Sequence, residues 1–307
     1  MGAEPRGAVS IGVFDGLHLG HRAILERALA HARERDGECV VLTFDPHPDV
    51  VLSKDAFRIP TPLTPLREKR ARLSALGVHR LDVLPFTREM AALSPEAFIE
   101  RYVLAPHAPH AVVVGEGFAL GRGRVGDTTR LRAIGQQHGF ELDAVPLFHL
   151  DGAPVSSTRI RELLAEGRVA EAARPLGRDY ALDGRVVTGT AIGRTLGFPT
   201  ANLQLHEEKL VPRDGIYAVR VGIGDQAPDR PGAMSIGMRP TFAGTTRTLE
   251  VHLIDFEGEL VGRELTVEFI GWLRAEQRFD GPAPLIEAMR ADVVEARRVV
   301  ASRNAPG

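Results

Sequence analysis

A chain of 307 residues is long for a single hydrophobic core, so two domains of about 150 residues are expected. Its 44% hydrophobic and 25% charged residues suit a soluble globular protein, and a net charge of −2 excludes a general nucleic-acid binder, which needs a basic face against phosphates. No apolar run is long enough to span a membrane, and the single cysteine, Cys39, excludes an internal disulfide or a cysteine-based metal cluster. With no apolar leader at Met1–Ser10, the chain is expected in the cytoplasm.

The first half alternates short apolar runs with amphipathic stretches. Strands are predicted at Val9–Phe14, Cys39–Phe44, Arg80–Pro85, Ala111–Gly115 and Glu141–Phe148. Between them, Thr64-Pro65 and Ser94-Pro95 read as helix caps followed by a first-turn proline. Asp127 caps a further helix that Gly139 ends. Arg67, Glu68, Lys69, Arg70 and Arg72 read as a solvated helix face. Five strands alternating with helices imply a parallel sheet covered on both faces, with ligands at the carboxyl ends of its strands.

Near residue 178 the pattern changes to strand after strand: Ala181–Val187, Tyr217–Ile223, Gly232–Gly237, Leu249–Phe256 and Glu264–Ile270. Phe256-Glu257-Gly258 reads as a hairpin turn. A last helix carries Ile286, Met289, Val293, Ala296 and Val300 on one face. The second half is therefore expected to be an antiparallel barrel with a terminal helix, and the boundary gives domains of 1–177 and 178–307.

Two places carry chemistry. Where the first strand meets the first helix stands Ile11-Gly12-Val13-Phe14-Asp15-Gly16-Leu17-His18-Leu19-Gly20-His21. Gly12, Gly16 and Gly20 let backbone approach a ligand, the helix N-terminus offers N–H groups to a phosphate, and His18 and His21 point at the same anion. Ser156-Ser157-Thr158-Arg159 caps a later helix while offering Ser157 and Thr158 hydroxyls and the Arg159 guanidinium to phosphate. Gly121-Arg122-Gly123-Arg124-Val125-Gly126 matches the dinucleotide fingerprint in letters only, because it does not directly follow a first strand. In the second half, Gly189-Thr190-Ala191-Ile192-Gly193-Arg194-Thr195 lacks the spacing and the lysine of a P-loop. It reads as a glycine-rich flap over phosphates, carried by Gly189, Gly193 and Arg194. Pro199-Thr200-Ala201-Asn202 follows directly.

Together these segments resemble the bacterial bifunctional riboflavin kinase/FAD synthetase family, from about residue 8 to 300. The G-x-F-D-G-x-H-x-G-H run, Thr43-Phe44-Asp45-Pro46-His47-Pro48 and the Ser-Ser-Thr-Arg segment are similar to its adenylyltransferase signatures. The resemblance adds Phe14 and Asp15 to the nucleotide site and implies a Rossmann-like H-x-G-H nucleotidyltransferase domain followed by a riboflavin kinase β-barrel. It implies that Thr200 and Asn202 bind Mg2+ and the ATP phosphates, and that Glu250 is the catalytic base. It also implies that Arg274, Glu276 and Phe279 help enclose the flavin. The implied reactions are phosphorylation of riboflavin to FMN and adenylylation of FMN to FAD, with ATP as co-substrate. The family often has Asp or Asn where Gly117 stands and Arg where Pro154 stands, which leaves open a kinase with an impaired adenylyltransferase half. Small molecules are the expected partners, with neither nucleic acid nor membrane; homo-oligomerisation is left open.

Overall fold

The computed structural model describes residues 7–53, 59–189, 193, 196–241 and 244–304, without the side chains of 239–241, 244, 245 and 304. Packing divides the chain into two compact units, residues 1–157 and 158–307.

The first unit runs β1 (Ala8–Ile11), α1 (Leu19–Glu34), β2 (Cys39–Asp45), α2 (Pro48–Leu52), α3 (Leu66–Ala75), β3 (Arg80–Pro85) and α4 (Arg88–Ala91). It continues through α5 (Pro95–Ile99), a π-helical turn, α6 (Ala105–His107), β4 (Ala111–Gly115), α7 (Thr128–His138), β5 (Glu141–Val145) and the small hairpin β6 (His149–Leu150) and β7 (Ala153–Pro154). The five predicted strands form one sheet in the order β3-β2-β1-β4-β5, and every pairing is parallel. Successive strand residues serve opposite faces, as a sheet buried on both sides requires. Val9, Ile11, Val40, Leu42, Val112 and Val114 join one core with Phe98 of α5 and Leu131 of α7. Ala8, Cys39, Val41, Ala111 and Val113 join the other with Leu25, Ala28 and Leu29 of α1. The strand order reverses between β1 and β4, which places the crevice for a ligand at the end of β1.

Asp127 and Ser94 cap their helices as expected, accepting hydrogen bonds from the N–H groups of Arg130 (2.8 Å) and Ala97 (3.1 Å). Thr64 does not: α3 begins one residue later, with Pro65 in the cap position and no side-chain cap bond. β1 also stops at Ile11, because the next residues turn into a loop containing left-handed Phe14 and Leu17 (φ 51° and 44°).

The second unit comprises α8 (Ser157–Ala165, whose first residue belongs to the first unit), α9 (Val169–Leu176), β8 (Tyr180–Val187), β9 (Ala201–Leu205) and β10 (Gly215–Ile223). β11 (Arg230–Thr241), β12 (Gly244–Leu253), β13 (Glu264–Arg274) and α10 (Pro282–Asn304) complete it. Its strands close a barrel in the order β10-β11-β12-β9-β8-β13 with antiparallel pairings. The barrel thus has a sixth strand, β9, beyond the five expected from the sequence. Phe256-Glu257-Gly258 is not a hairpin turn. It lies in a longer crossing from β12 to β13, which are not neighbours in the barrel. α10 lies on β10, β11 and β13, with Ala296 and Val300 packed on Ala218, Ile254 and Ile270. α9 packs on β8 and β13, although the change of pattern near residue 178 separates it from them in sequence.

Candidate active sites

The loop between β1 and α1 is held from several directions. The buried Asp15, 5% exposed, turns its carboxylate inward, where it accepts the Leu63 N–H (3.0 Å) and the Thr64 N–H (2.9 Å). The Val13 carbonyl accepts from Lys69 Nζ (2.7 Å) and from Thr43 Oγ1 (3.1 Å), and the Asp15 carbonyl accepts from Ser157 Oγ (2.8 Å). Gly16 takes a left-handed φ of 85°, which a side chain would resist. Gly12 is needed for space, because a Cβ there would stand 3.0 Å from the Phe14 ring.

His18 is the N-cap of α1, and its Nδ1 accepts the His21 N–H at 3.2 Å. One turn apart, the two imidazoles stack with centroids 3.6 Å apart and planes 13° from parallel, and the edge of Phe14 meets His21. His21 Nδ1 is enclosed without a hydrogen-bond partner among the described residues. Burial, then the neighbouring His18 and Lys69 charges, hold its pKa well below the ordinary histidine value. The structure therefore brings Gly12, Phe14, Asp15, Gly16, Gly20, His18 and His21 into one braced turn at a helix N-terminus, an arrangement suited to a phosphate. Phe14 and Asp15 shape that turn rather than offering it polar atoms. Ser157 donates to the Asp15 carbonyl of the loop, while Arg159 is exposed and donates to Glu162 at 3.1 Å. Thr158 is exposed in the first turn of α8.

Lys69 corrects the sequence reading of a solvated face. Only 7% exposed, it reaches under the loop to Val13, and burial lowers its pKa against the opposing pull of Asp15 and Asp45. Nothing local distinguishes it from Arg67 or Arg70; the partner is 56 residues away.

In the barrel, register brings the second set together. Glu250 on β12 stands opposite Asn202 on β9 and Ser235 on β11. Thr200, just before β9, donates its hydroxyl to Glu250 Oε2 at 3.1 Å. Two residues apart on an extended chain, Thr200 and Asn202 share a face. Gly189 packs on Asn202 so closely that a Cβ would fall 2.0 Å from the carboxamide nitrogen. Gly193 accepts the Phe198 N–H at 2.8 Å, folding the glycine loop back over Thr200. Arg194 lies outside the described residues, as do Thr190–Ile192 and Thr195.

Two cavities meet at Thr200. One, of about 310 Å³, is lined by Thr200, Glu250, Ser235, Arg274, Glu276 and Phe279, with Met289 and Val293 of α10. The other, of about 190 Å³, is lined by Thr200, Asn202, Gly189 and the 256–261 loop. Arg274 is locked by a two-pronged ion pair with Asp292 (2.8 and 2.7 Å) and lies over the Phe279 ring at 5.8 Å. Glu276 receives the Ser235 hydroxyl at 3.4 Å, and burial, followed by repulsion from Asp214, raises its pKa. Sequence reasoning missed Ser235 and Asp292 as lining residues, since only the barrel's register and α10 bring them there.

The FAD synthetase family profile matches residues 2–159 and the Riboflavin kinase profile residues 176–300. A bifunctional riboflavin kinase/FMN adenylyltransferase of Pseudomonas fluorescens is 41% identical, with 97% of this chain and 94% of that protein covered. Those of Escherichia coli K12 and Listeria monocytogenes are 38% and 36% identical, each match covering 94% of this chain and 91% of the relative. A solved structure from Streptococcus pneumoniae, described as a macrolide-efflux protein, shares the fold with a TM-score of 0.88 at 30% identity, covering 97% of this chain and 95% of that one. That description is the other protein's own; no described helix here is long and apolar enough to cross a membrane.

Proposed function

The chain belongs to the bifunctional riboflavin kinase/FMN adenylyltransferase family, and from that premise we propose which of its residues carry each reaction. It is a transferase that phosphorylates riboflavin to FMN with one ATP and transfers the AMP of another to FMN, giving FAD and pyrophosphate.

The kinase reaction belongs to the barrel. The observation that carries the assignment is Thr200, hydrogen-bonded to Glu250 and bordering both cavities. The larger cavity takes the flavin and the smaller the ATP phosphates, so the ribityl hydroxyl and the γ-phosphate meet beside Glu250. Glu250 accepts the hydroxyl proton as that oxygen bonds to the γ-phosphorus and ADP leaves. Arg274, fixed by Asp292, and Phe279 face the flavin ring, with Glu276 as a polar contact. The oxygen donors of Thr200 and Asn202, on one face of β9, fit Mg2+. The ion, when bound, would neutralise phosphate charge; Gly189 fixes the Asn202 amide that would hold it.

The adenylyl transfer belongs to the β1–α1 loop. The N–H groups at the start of α1, with His18 and His21, hold the triphosphate while an FMN phosphate oxygen attacks the α-phosphorus and pyrophosphate leaves. Burial, with His18 and Lys69 beside it, holds the His21 pKa below the ordinary histidine value, so the ring meets the triphosphate as a neutral hydrogen-bonding group. Thr158 and Arg159 supply further phosphate contacts, as does Arg194 in the kinase site. Nothing favours an impaired first half, since the FAD synthetase family's match and the relatives' similarity extend over it.

The test is incubation with riboflavin, ATP and magnesium, with the flavins separated over time. FMN followed by FAD is expected. The Glu250→Gln variant should convert supplied FMN to FAD while making FMN about 10²–10⁴-fold more slowly, and the His18→Ala/His21→Ala variant should stop at FMN. FAD formation persisting in that double variant would overturn the first-site assignment.

A further inference from the structure

At the far end of α1 from the phosphate loop, three side chains converge that neither reaction uses. His31 and Glu34 close the helix, and His110 stands just before β4, at the amino ends of the strands and so opposite the end that carries the β1–α1 loop. Each offers one ligand atom, and these atoms all lie within 4.8 Å of one another. Thirteen residues of helix separate His31 from His18, about 20 Å at the α-helical rise.

The contacts of His31 give the cluster its direction. Arg27 Nε donates to Asp143 Oδ2 at 2.9 Å, and the same oxygen lies 3.0 Å from His31 Nε2. With Nε2 turned to Asp143, Nδ1 is the ring atom turned to the cluster. That atom is enclosed without a hydrogen-bond partner among the described residues and faces the Glu34 carboxylate at 3.6 Å. A ring nitrogen and a carboxylate at that distance are joined either by a proton on the nitrogen or by a cation held between them. His31 is 9% exposed and His110 7%, whereas Glu34 is mostly in solvent and leaves a way in. The negative end of the α1 dipole favours a cation at the same place.

We propose that His31 Nδ1, the Glu34 carboxylate and a ring nitrogen of His110 form a binding site for a zinc-class dication, with water as the fourth ligand. Two imidazoles and a carboxylate are borderline donors that suit zinc better than magnesium. Asp143 is the outer-shell carboxylate that orients a metal-binding histidine. Tetrahedral coordination needs ligand atoms about 3.3–3.6 Å apart, so the exposed Glu34 side chain closes on the ion by rotation.

The full-length chain, freed of metal by chelation, is titrated with Co2+ without nucleotide and then with Zn2+. Visible bands of four-coordinate Co2+ should saturate at one equivalent per chain and vanish as Zn2+ displaces it. Glu34→Gln, at an exposed position that leaves the fold intact, should weaken binding at least about tenfold, and His110→Gln should abolish it. Asp143→Asn should weaken it about 10–100-fold. The His18→Asn/His21→Asn variant should bind as the unaltered chain does. Absence of the bands, a Glu34→Gln titration identical to the unaltered chain, or loss of binding in the His18/His21 variant would each overturn the proposal. FMN and FAD formation with magnesium should be unchanged in Glu34→Gln.

Discussion

Asp15→Ala removes the buried brace of the phosphate loop. The carboxylate accepts from the Leu63 and Thr64 amides, both in buried residues, at 2.9–3.1 Å. A hydrogen bond to a charged group contributes about 1.5–3 kcal/mol, and an alanine leaves two buried donors unmatched. The conservative expectation is a local loss of about 1.5–3 kcal/mol at each amide, or roughly 10–100-fold at 1.4 kcal/mol per decade. Amide hydrogen exchange reads this directly: the peptide carrying Leu63 and Thr64 should exchange faster by that factor, while barrel peptides from β10–β13 keep their rates. FAD formation should fall with it, since Gly16 and His18 follow Asp15 in the same turn, and riboflavin phosphorylation should not. Asp15→Asn keeps an acceptor oxygen and should lie between the two. Unchanged exchange at Leu63 and Thr64 in Asp15→Ala would refute the view that this carboxylate is a brace.

Other expectations are simpler to state. His21 has a folded-state pKa below its unfolded value of about 6.5. The unfolded chain therefore binds the extra proton first, and the contribution of His21 to stability is whole above about pH 6.5 and declines as pH falls below it. His21→Asn should flatten that acid limb in denaturant titrations followed through first-unit amides. Glu250→Gln should lower riboflavin kinase kcat by about 10²–10⁴-fold with little change in flavin binding, measured by fluorescence quenching. Gly189→Ala must displace the Asn202 carboxamide, since its Cβ would lie 2.0 Å from Nδ2. That variant should raise the magnesium concentration needed for half-maximal kinase activity and leave FAD formation from FMN alone.

The range of each interaction decides whether the residues announce it. The caps of α5 and α7 are local, three residues from hydroxyl or carboxylate to amide, and Ser94 and Asp127 announce them. Thr64 carries the same letters, but the helix starts a residue later with Pro65 at its cap, and a carboxylate 49 residues earlier in the chain holds the Thr64 N–H. Lys69 hides in a charged run for the same reason. β9 was illegible because Pro199-Thr200-Ala201-Asn202 has turn-forming letters, and only pairing with β8 and β12 draws Ala201–Leu205 into an extended strand. The histidine pair was legible as chemistry, yet its stacking and the enclosure of His21 depend on Phe14 and on the loop's fixed shape.

One consequence of α8 concerns how such a protein can be taken apart. The helix and the turn after it are fixed to the barrel: Arg213 donates to the Leu164 carbonyl, and the Trp272 ring fills the space where Gly167 would carry a side chain. A fragment beginning at residue 178 would lack α9, with its buried Ala172, Ala173 and Leu176, and would uncover the sides of β8 and β13 on which that helix packs. Recombination that exchanged the barrel for a foreign one would therefore have to move α8 and α9 along with the strands.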